Sequence, residues 1–474
     1  MPTAYDAIVI GTGQAGPFLT KRLTSAGQRV AIVERHLFGG TCVNTGCIPT
    51  KTMVASAYAA HLARRAAEFG VDVDNVRVDM ARVKARKDAI SGQSRAGVES
   101  WLTSMKGCTV YRGHARFESP RVVRVGDQTL TADRIFINVG ARPRVPDMPG
   151  VRDIPFLTSS TVLDLDRVPK HLVVVGGSYV GLEFGQMFRR FGGEVTIVEM
   201  GPRLIRREDE DVSTAIREII ESEGIRVRLD ATCVGFDRRS DGIGVRVDCT
   251  SGEPEVIGSD VLLAVGRLPN THDLGLEHTG VAVDAHGIIG VDDFLRTNVD
   301  GIWALGECNG RGAFTHTAFN DAEIVSANLL DDDPRRVSDR IETYGLFVDP
   351  PLGRAGMTEA DVRKSGRRAL IGKRAMKDVK RAVEKGETRG FMKVLVDAET
   401  RQILGAAILG PGGDEIIHSI LDVMYAKAPY TVIQRAVHVH PTVTELIPTM
   451  LGSLSPLPDA SGDGDAASKG KTTA

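Results

Sequence analysis

Short runs of apolar residues that end at glycine-rich turns recur along the chain. The first run spans residues 7–10 and leads into the turn 11–16, and a second run, 172–175, leads into the turn 176–181. Each turn is followed by a stretch of helical periodicity and then by another apolar run. Apolar runs of this length bounded by glycine are typical of buried strands. The pattern therefore predicts two strand–turn–helix–strand units.

The spacing within the two units is the same. Gly11 precedes Glu34 by 23 positions, and Gly176 precedes Glu199 by the same 23 positions. In a dinucleotide-binding unit the glycines allow a tight turn, the helix N-terminus receives a pyrophosphate, and the acid binds a ribose. One such match also fits an ordinary glycine-rich turn, but two matches at one spacing favour two dinucleotide sites. In the second unit Ser178 replaces the middle glycine, which predicts a less close backbone approach there.

Three further elements indicate the order of the domains. Residues 137–143 and 263–269 each form an apolar strand that runs into a glycine-containing loop, and residues 302–307 form a third such element. The first two predict the points at which the chain leaves one dinucleotide domain for the next, and the third predicts its return to the first. The second dinucleotide domain is therefore expected to be inserted in the first.

The pattern changes at about Tyr344. Apolar runs at 390–396 and 403–409 predict strands, and an apolar stretch at 415–426 predicts a helix. Residues after Leu457 lack periodicity, so a disordered tail is expected. The predicted fold class is α/β, with two Rossmann-like dinucleotide-binding domains, the second inserted in the first, and a C-terminal α+β module.

Composition narrows the class of protein. The 474 residues are 42% hydrophobic and 25% charged, as in ordinary globular proteins of several domains. The formal net charge of -2 predicts no general attraction to nucleic acid or to anionic membranes. Six cysteines are too sparse for a disulfide-stapled secreted scaffold, and we expect neither a secretory signal nor a membrane anchor. A location in the reducing cytoplasm is expected.

Two cysteines lie close together after the first glycine-rich turn, within the segment 39–51. Cys42 and Cys47 are five positions apart, and on an ideal helix they would point in divergent directions. A bridge between them requires a local distortion, which Gly46 supplies at low steric cost. Because the loop is so short, such a bridge would stabilise the fold little and would suit thiol exchange. Taken alone, the pair also fits two buried free thiols.

A histidine and an acid near the C-terminus form a second chemical signal. Thiol chemistry needs a nearby base with a pKa close to neutrality, which an imidazole provides and a carboxylate can orient. His440 and Glu445 have the residue types that this role requires. A lone histidine is more often structural, and we assign His438 a structural or packing role.

The chain resembles the pyridine nucleotide-disulfide oxidoreductases, the family that contains dihydrolipoamide dehydrogenase, glutathione reductase and mercuric reductase. The resemblance extends from Tyr5 to Met450, and its most specific part is the motif at residues 42–51. It implies FAD in the first nucleotide fold and NADH or NADPH in the second. The cofactor-binding residues that it implies are Gly11, Gly13, Gly16, Glu34, Gly40, Thr41, Lys51, Gly140, Glu307, Ala318, Gly176, Tyr179, Gly181, Glu199 and Gly266.

The same resemblance implies catalytic roles. Cys47 would be the sulfur nearest the flavin, and Cys42 would be the outer sulfur that meets the substrate. Lys51 would lie near the flavin N5 edge, paired with Glu183, although from the sequence alone a solvated surface pair is an equal alternative. Tyr179 would cover the nicotinamide pocket, with core packing as the alternative.

The resemblance also implies the domain limits. Residues 1–145 and 271–342 would form the FAD-binding domain, 146–270 the NAD(P)-binding domain, 343–456 the dimerisation domain and 457–474 a disordered tail. His440 and Glu445 would serve the disulfide of the other subunit, so a homodimer with composite sites is expected. No resident metal site is predicted.

The electron acceptor and the coenzyme are less determined. The predicted function is an FAD-dependent NAD(P)H oxidoreductase that acts through Cys42 and Cys47 on a disulfide, a metal ion or a quinone-like acceptor. A lipoamide reaction is the runner-up to a metal-stress reductase, and a non-catalytic nucleotide-binding scaffold is the alternative of another class.

Departures from the family pattern bear on these choices. Glu307 stands where most relatives have aspartate. The chain has no cysteine after Cys308 and keeps the His440 and Glu445 pair, and both facts weaken a mercury-specific assignment. Glu199 favours NADH because a carboxylate repels a 2′-phosphate, although three nearby arginines are candidate phosphate ligands: Arg203, Arg206 and Arg207.

Overall fold

The structure, a computed structural model, describes residues 1–232, 234–248 and 252–459. Its strands are β1 (Thr3–Ile10), β2 (Val30–Glu34), β3 (Cys108–Arg112), β4 (Ala115–Ser119), β5 (Val122–Val125), β6 (Gln128–Ile137), β7 (Ala141–Pro143), β8 (Leu157–Thr158), β9 (His171–Val175), β10 (Glu194–Val198), β11 (Arg226–Arg228), β12 (Gly235–Arg238), β13 (Ile243–Arg246), β14 (Glu255–Gly258), β15 (Asp260–Leu263), β16 (Arg267–Pro269), β17 (Ile302–Ala304), β18 (Thr343–Leu346), β19 (Leu352–Gly356), β20 (Ala369–Ala375), β21 (Phe391–Asp397), β22 (Ile403–Leu409) and β23 (Ser455–Pro456). Its α-helices are α1 (Ala15–Ser25), α2 (Gly40–Asn44), α3 (Cys47–Arg64), α4 (Met80–Ser104), α5 (Tyr179–Phe191), α6 (Glu210–Ser222), α7 (Thr315–Ser326), α8 (Glu359–Lys364), α9 (Lys380–Glu384), α10 (Gly413–Tyr425), α11 (Thr431–Gln434) and α12 (Leu446–Leu451).

The first sheet has a parallel core in the order β3-β2-β1-β6, with β17 paired to the end of β6. Alternate residues of β1 belong to two different apolar clusters: Ala7 and Val9 pack with α1 and α7, and Ile8 and Ile10 pack with β4 and β5. A strand that is buried on both faces reads as a continuous apolar run, which is why the sequence shows one here.

The second sheet repeats this arrangement. Strands β10, β9, β15 and β8 lie side by side and parallel. A three-stranded antiparallel meander, β12-β13-β14, contributes to the apolar cluster on one face of this sheet. A short antiparallel pair, β7 with β16, contains the two loop segments that were predicted to follow each dinucleotide unit.

The C-terminal sheet is antiparallel, in the order β18-β19-β22-β21-β20-β23. Helix α10 packs against it, and the apolar cluster between them includes Ile417, Ile420 and Leu421. The predicted strands at 390–396 and 403–409 and the predicted helix at 415–426 are confirmed by β21, β22 and α10. The predicted fold class is confirmed.

The structure divides into two compact units. Met1–Met200 and Ala231–Arg340 form the first, and Gly201–Asp230 joins the chain from Ile341 onward in the second. The domain limits given above stay predictions, and the sequence did not predict the grouping of Gly201–Asp230 with the C-terminal sheet. Of the predicted tail, Leu457 still donates a backbone hydrogen bond to Ala369 O at 2.9 Å, and residues 460–474 lie outside the described residues. None of the described helices combines the length and apolar character needed to cross a bilayer.

Candidate active site

The first glycine of each predicted dinucleotide turn has no room for a side chain. Gly11 and Gly176 have φ of +105° and +115°, a region that favours glycine. A Cβ at Gly11 would lie 2.3 Å from Asn138 O, and one at Gly176 would lie 2.4 Å from Ala264 O. Each turn therefore passes the residue that follows the equivalent neighbouring strand of its own sheet, β6 in the first unit and β15 in the second, so the repeat extends to the backbone.

The other two glycines of the turn have different roles. A Cβ at Gly16 or Gly181 would lie 2.2 or 1.9 Å from the carbonyl oxygen of the first glycine of its own turn. A Cβ at Gly13 would meet nothing closer than 3.5 Å, so packing within the protein does not require glycine there. The free space and the first-turn N–H groups of α1 fit the pyrophosphate of a dinucleotide. The second turn has Ser178 at the corresponding position.

Each acid at the end of a second strand is fixed by its own turn. The Thr12 backbone N–H donates to Glu34 Oε2 at 3.1 Å, and the Gly177 N–H donates to Glu199 Oε2 at 2.7 Å. His36 N donates to the other oxygen of Glu34 at 2.9 Å. Both carboxylates are thus oriented at the carboxyl ends of parallel strands, where open α/β sheets bind their ligands.

The two cysteines lie on either side of a break between helices. Cys42 is in α2, Cys47 is the first residue of α3, and Thr45 and Gly46 separate the helices. A Cβ at Gly46 would lie 2.9 Å from Thr41 O, so the break favours glycine. The predicted distortion at Gly46 is confirmed, and the two thiols hydrogen-bond one another as free cysteines.

The two thiols differ in acidity. The hydrogen bond from Cys42 is the largest of the contacts that lower the pKa of Cys47 to about 6; Thr315 and Lys51 act in the same direction, and burial acts against them. The same hydrogen bond, burial and the charge of Cys47 raise the pKa of Cys42 above its ordinary range. The N-terminus of α3 also favours a thiolate at Cys47. At neutral pH the reduced pair is therefore a Cys47 thiolate beside a Cys42 thiol.

An ion pair stands beside the thiols. Lys51 lies one helical turn after Cys47, and its Nζ is 2.6 Å from Glu183 Oε2. The Glu183 side chain is 8% exposed and that of Lys51 is 34% exposed, so the pair is not a solvated surface pair. The buried Glu183 carboxylate holds the Lys51 ammonium in one place. A fixed ammonium there suits a group that stabilises the negative charge of a neighbouring thiolate.

Tyr179 is the first residue of α5, four positions before Glu183. Its ring makes an edge-on contact with Phe314, with ring centroids 5.8 Å apart and an interplanar angle of 85°. Tyr179 therefore lies on the same side of the first unit as the thiol pair, because Thr315, which follows Phe314, contacts Cys47.

Glu307 is held by an arginine that the sequence did not single out. Arg267 Nε lies 2.8 and 3.0 Å from the two oxygens of Glu307, and Arg267 Nη2 also reaches Ala141 O and, at 3.4 Å, Thr41 Oγ1. The Glu307 carboxylate is thus held by an ion pair in which one arginine N–H is shared between its two oxygens.

The remaining predicted cofactor residues also lie in the first unit. Gly40 packs so closely on Gly13 that a Cβ would lie 2.8 Å from the Gly13 Cα. Gly140 and Gly266 have φ of +59° and +103°, and Ala318 lies in α7.

His440 and Glu445 lie in the second unit and form a pair. His440 Nδ1 is 2.8 Å from Glu445 Oε2, which leaves Nε2 as the outward nitrogen. The imidazole side chain is 76% exposed, and that of the glutamate is 17% exposed. A carboxylate that orients an exposed imidazole fits the predicted acid–base role.

Thr315 is the main residue that sequence reasoning missed. Its Oγ1 is 3.0 Å from Cys47 Sγ, and the two residues are 268 positions apart in the chain. Asn138 was also missed as a contact, although it lies in the predicted strand-to-loop element: its Nδ2 donates to the carbonyls of Gly11 and Gly13 at 3.3 Å each. Arg267 follows Gly266 in the equivalent second element, so its position in the sequence was a usable signal.

Comparison with known proteins agrees with this geometry. The family model described as pyridine nucleotide-disulphide oxidoreductase matches residues 5–322, and the dimerisation domain of that family matches residues 343–451. The probable pyridine nucleotide-disulfide oxidoreductase RclA of Escherichia coli is 34% identical over 93% of this chain and 97% of its own length. A dihydrolipoyl dehydrogenase of Haloferax volcanii is 33% identical over 94% and 95%. A solved structure, the Cu(II) complex of the HOCl-induced flavoprotein disulfide reductase RclA from Escherichia coli, superposes with a TM-score of 0.87 at 34% identity, covering 95% of this chain and 99% of that one.

The chain therefore belongs to the pyridine nucleotide-disulphide oxidoreductase family. It is an FAD-dependent oxidoreductase that uses NAD(P)H, and it carries the dimerisation domain of the family. The predicted family, enzyme class and cofactors are confirmed.

Proposed function

We propose that electrons pass from NAD(P)H through Cys47 and Cys42 to an external acceptor. A metal ion is the preferred candidate for this acceptor, before a small disulfide or a quinone. The observation that carries this proposal is the asymmetric thiol pair: Cys47 is the more acidic sulfur, at a helix N-terminus beside the Lys51 ammonium. Cys47, as a stable thiolate, suits the role of the inner sulfur next to the flavin. Cys42, as a protonated thiol, suits the role of the outer sulfur that meets the acceptor.

Bound FAD would supply a two-electron carrier between the nicotinamide and the disulfide. The residues that would hold it are those of the first glycine turn with Glu34, and Lys51 would stand at its reactive edge. The Lys51 charge, held by Glu183 at 2.6 Å, stabilises the negative sulfur that remains when the disulfide is cleaved.

Cys42 would make the external attack. In the overall reaction the hydride of NAD(P)H reduces the Cys42–Cys47 disulfide to the Cys42 thiol and the Cys47 thiolate. The pair is then reoxidised with loss of the Cys42 proton by two Cu(II) ions that become Cu(I), or by one disulfide that takes up this proton and one from solvent and becomes two thiols. His440 of a second subunit, oriented by Glu445, would accept the proton of Cys42.

Two considerations support a copper ion as the first candidate acceptor. One solved structure that superposes over nearly the whole chain is a Cu(II) complex. Thiolates are soft ligands that favour Cu(I), so a dithiol both binds and reduces copper readily. A lipoamide reaction is the second candidate, supported by the dihydrolipoyl dehydrogenase that is similar over 94% of the chain.

NADH is the proposed coenzyme. Glu199, which the Gly177 N–H holds at 2.7 Å, would accept hydrogen bonds from a ribose 2′-hydroxyl and would repel a 2′-phosphate. Steady-state kinetics with each coenzyme test this directly, and a higher kcat/KM for NADPH would contradict it.

The acceptor is tested with the purified flavoprotein under anaerobic conditions. NADH oxidation is followed with Cu(II), Hg(II), lipoamide, glutathione disulfide and a quinone, and the highest kcat/KM is expected with Cu(II). The Cys42→Ser variant should lose NADH-dependent turnover with copper, and so should Cys47→Ser. Unchanged turnover in Cys42→Ser would remove the dithiol route, and a binding scaffold without turnover would oxidise NADH with none of these acceptors.

A further inference from the structure

One short segment contacts both the predicted cover of the nicotinamide pocket and the acidic thiol. Phe314 makes the edge-on contact with Tyr179, at 5.8 Å between ring centroids, and Thr315 Oγ1 is 3.0 Å from Cys47 Sγ. The His316 ring stacks on Phe314 at 5.3 Å and an interplanar angle of 10°. Two adjacent residues thus join two parts of the site that the sequence separates by more than a hundred positions.

The backbone of this segment is fixed in the first turn of α7. Thr317 Oγ1 accepts from Phe314 N at 3.2 Å and donates to Phe314 O at 2.7 Å. The Ala318 N–H also donates to Phe314 O at 3.1 Å. Because these bonds hold residues 314 and 315 in one turn, a displacement of the Phe314 ring is passed to Thr315 and is not absorbed by the backbone.

Helix α5 is also connected to the thiols through a second set of contacts, which does not include Phe314. Tyr179 and Glu183 are one helical turn apart, and Glu183 holds Lys51, whose charge favours the Cys47 thiolate. The titratable and charged groups that act on Cys47 are thus Cys42 and Lys51, with Glu183 behind Lys51. The Phe314 route is separable from this one because Phe314 carries no charge.

We infer that Phe314 is a positioning residue that couples occupancy of the nicotinamide pocket, through Tyr179, to the Thr315 hydrogen bond on Cys47. The inference rests on the proposed function and on the expected place of Tyr179 over the nicotinamide pocket, from which a bound nicotinamide would displace it. When the ring of Tyr179 moves, the edge-on contact is lost, Phe314 shifts and the Thr315 hydroxyl changes its distance from Cys47. By linkage, the acidity of Cys47 then depends on coenzyme occupancy, and coenzyme affinity depends on the ionisation of Cys47.

The experiment uses the long-wavelength absorbance of the two-electron-reduced flavoprotein, which reports a thiolate next to the flavin. The absorbance is titrated against pH with and without saturating 3-aminopyridine adenine dinucleotide, a redox-inert coenzyme analogue, or its 2′-phosphate if NADPH is preferred. Saturation is verified by calorimetry. In the wild-type protein we expect the analogue to move the midpoint by about half a pH unit or more, a change of about threefold in the ionisation constant.

The variants separate the contacts. Phe314→Leu should keep the midpoint of the analogue-free protein and lose the analogue-dependent shift, whereas Thr315→Val should raise the midpoint of the analogue-free protein and show no further shift. Tyr179→Leu removes the other ring of the pair and should also lose the shift, which provides a second measurement if Phe314→Leu folds poorly. Phe319→Leu is the matched control, since Phe319 lies on α7 but packs on Phe18, with centroids 4.6 Å apart.

The outcomes distinguish the inference from the proposed function. A full shift in Phe314→Leu, or no shift in the wild-type protein with a normal thiolate band, would overturn the coupling and leave the proposed function standing. A wild-type protein without a thiolate band that depends on Cys47 would overturn both.

Discussion

At the scale of single residues, the Lys51 ammonium is the positive charge that favours the Cys47 thiolate. Its removal in Lys51→Met should raise the Cys47 midpoint from about 6 by about one pH unit, since a neighbouring opposite charge shifts a pKa by this order. The sign is upward because the charge stabilises the ionised form. At pH 7 the thiolate fraction should fall from about nine-tenths to about one half.

The thiolate band of the reduced protein, recorded from pH 4.5 to 9, measures this midpoint. Lys106→Met, at an exposed lysine of the same unit, is the control and should leave the midpoint in place. An unchanged midpoint in Lys51→Met would mean that the hydrogen bonds of Cys42 and Thr315 alone set the acidity of Cys47.

The sequence was informative about residues that lie close together in the chain or in a family motif. Cys42, Cys47 and Lys51 were predicted as one group because they share one short segment, and Gly46 was predicted to break the helix because only a local distortion lets the thiols meet. Thr315 was not predicted, since nothing in its local pattern indicates a partner 268 positions away. Contacts of that kind depend on the tertiary fold, which periodicity does not encode residue by residue.

At the scale of elements, the two glycine-rich turns make a matched pair of substitutions possible. A Cβ at position 16 would lie 2.2 Å from Gly11 O, and one at position 181 would lie 1.9 Å from Gly176 O. Overpacking of this kind costs about 1–3 kcal/mol, enough to weaken binding by about tenfold. Gly16→Ala should therefore bind flavin about tenfold more weakly, whereas Gly181→Ala should keep its flavin and bind NAD(P)H about tenfold more weakly.

Flavin absorbance per protein and coenzyme titration measure the two effects. Gly97→Ala is the control: its Cβ would meet nothing within 4 Å, and alanine stabilises a helix interior by up to about 1 kcal/mol. Loss of flavin from Gly181→Ala with normal flavin in Gly16→Ala would mean that the two sites are assigned in reverse.

Most elements of the dinucleotide units followed from the apolar pattern, because strands buried on both faces have an unmistakable composition. The segment Gly201–Asp230 did not, although α6 has a clear apolar face. Its place in the second unit depends on buried charges, and an apolar pattern carries no information about which charged residues will meet.

At the scale of the whole molecule, the second unit contains a buried lysine ammonium that contacts three carboxylates. Lys393, with 1% of its side chain exposed, lies 2.8 Å from Asp209 and 2.7 Å from both Asp211 and Glu359. Burial acts against the charged forms of both groups. The neighbouring carboxylates nevertheless raise the pKa of Lys393. Lys393 and Lys373 together lower the pKa of Asp211. These three carboxylates have the spacing of a cation site, and the lysine ammonium lies among them.

Lys393→Met should therefore destabilise the protein by about 3 kcal/mol at pH 7.5, because the three carboxylates lose the buried cation that they share. Each keeps one other cation: Arg354 at Asp209, Lys373 at Asp211 and Arg363 at Glu359. The depressed pKa of Asp211 gives the wild-type protein stability that is lost as pH falls through the folded-state value. In the variant the pKa of Asp211 should be less depressed, because Lys393 is the foremost charge that lowers it, so less stability is lost as pH falls. Urea unfolding should show a difference between the two proteins that shrinks as pH falls from 7.5 to about 3, through the range in which an aspartate titrates.

Lys385→Met, at an exposed lysine of the same unit, is the matched control and should stay within about 0.5 kcal/mol of the wild-type protein. An equal destabilisation at both pH values would indicate lost packing and not unpaired charge.

The last prediction concerns the proposed assembly of a site from two subunits. The His440 ring is 76% exposed in the single chain and is oriented by Glu445, so its outward nitrogen is available to a neighbouring molecule.

The two homodimeric variants Cys47→Ser and His440→Asn should both be inactive. A hybrid dimer purified through two different affinity tags has one Cys47→Ser subunit and one His440→Asn subunit. If His440 serves the thiols of the partner subunit, one of its two sites combines intact thiols with an intact imidazole, and about half of the wild-type kcat returns. If His440 serves the thiols of its own chain, each site of the hybrid lacks one group and no activity returns. Because both readouts come from the same purified hybrid, differences in folding between the two variants cannot imitate a restored site.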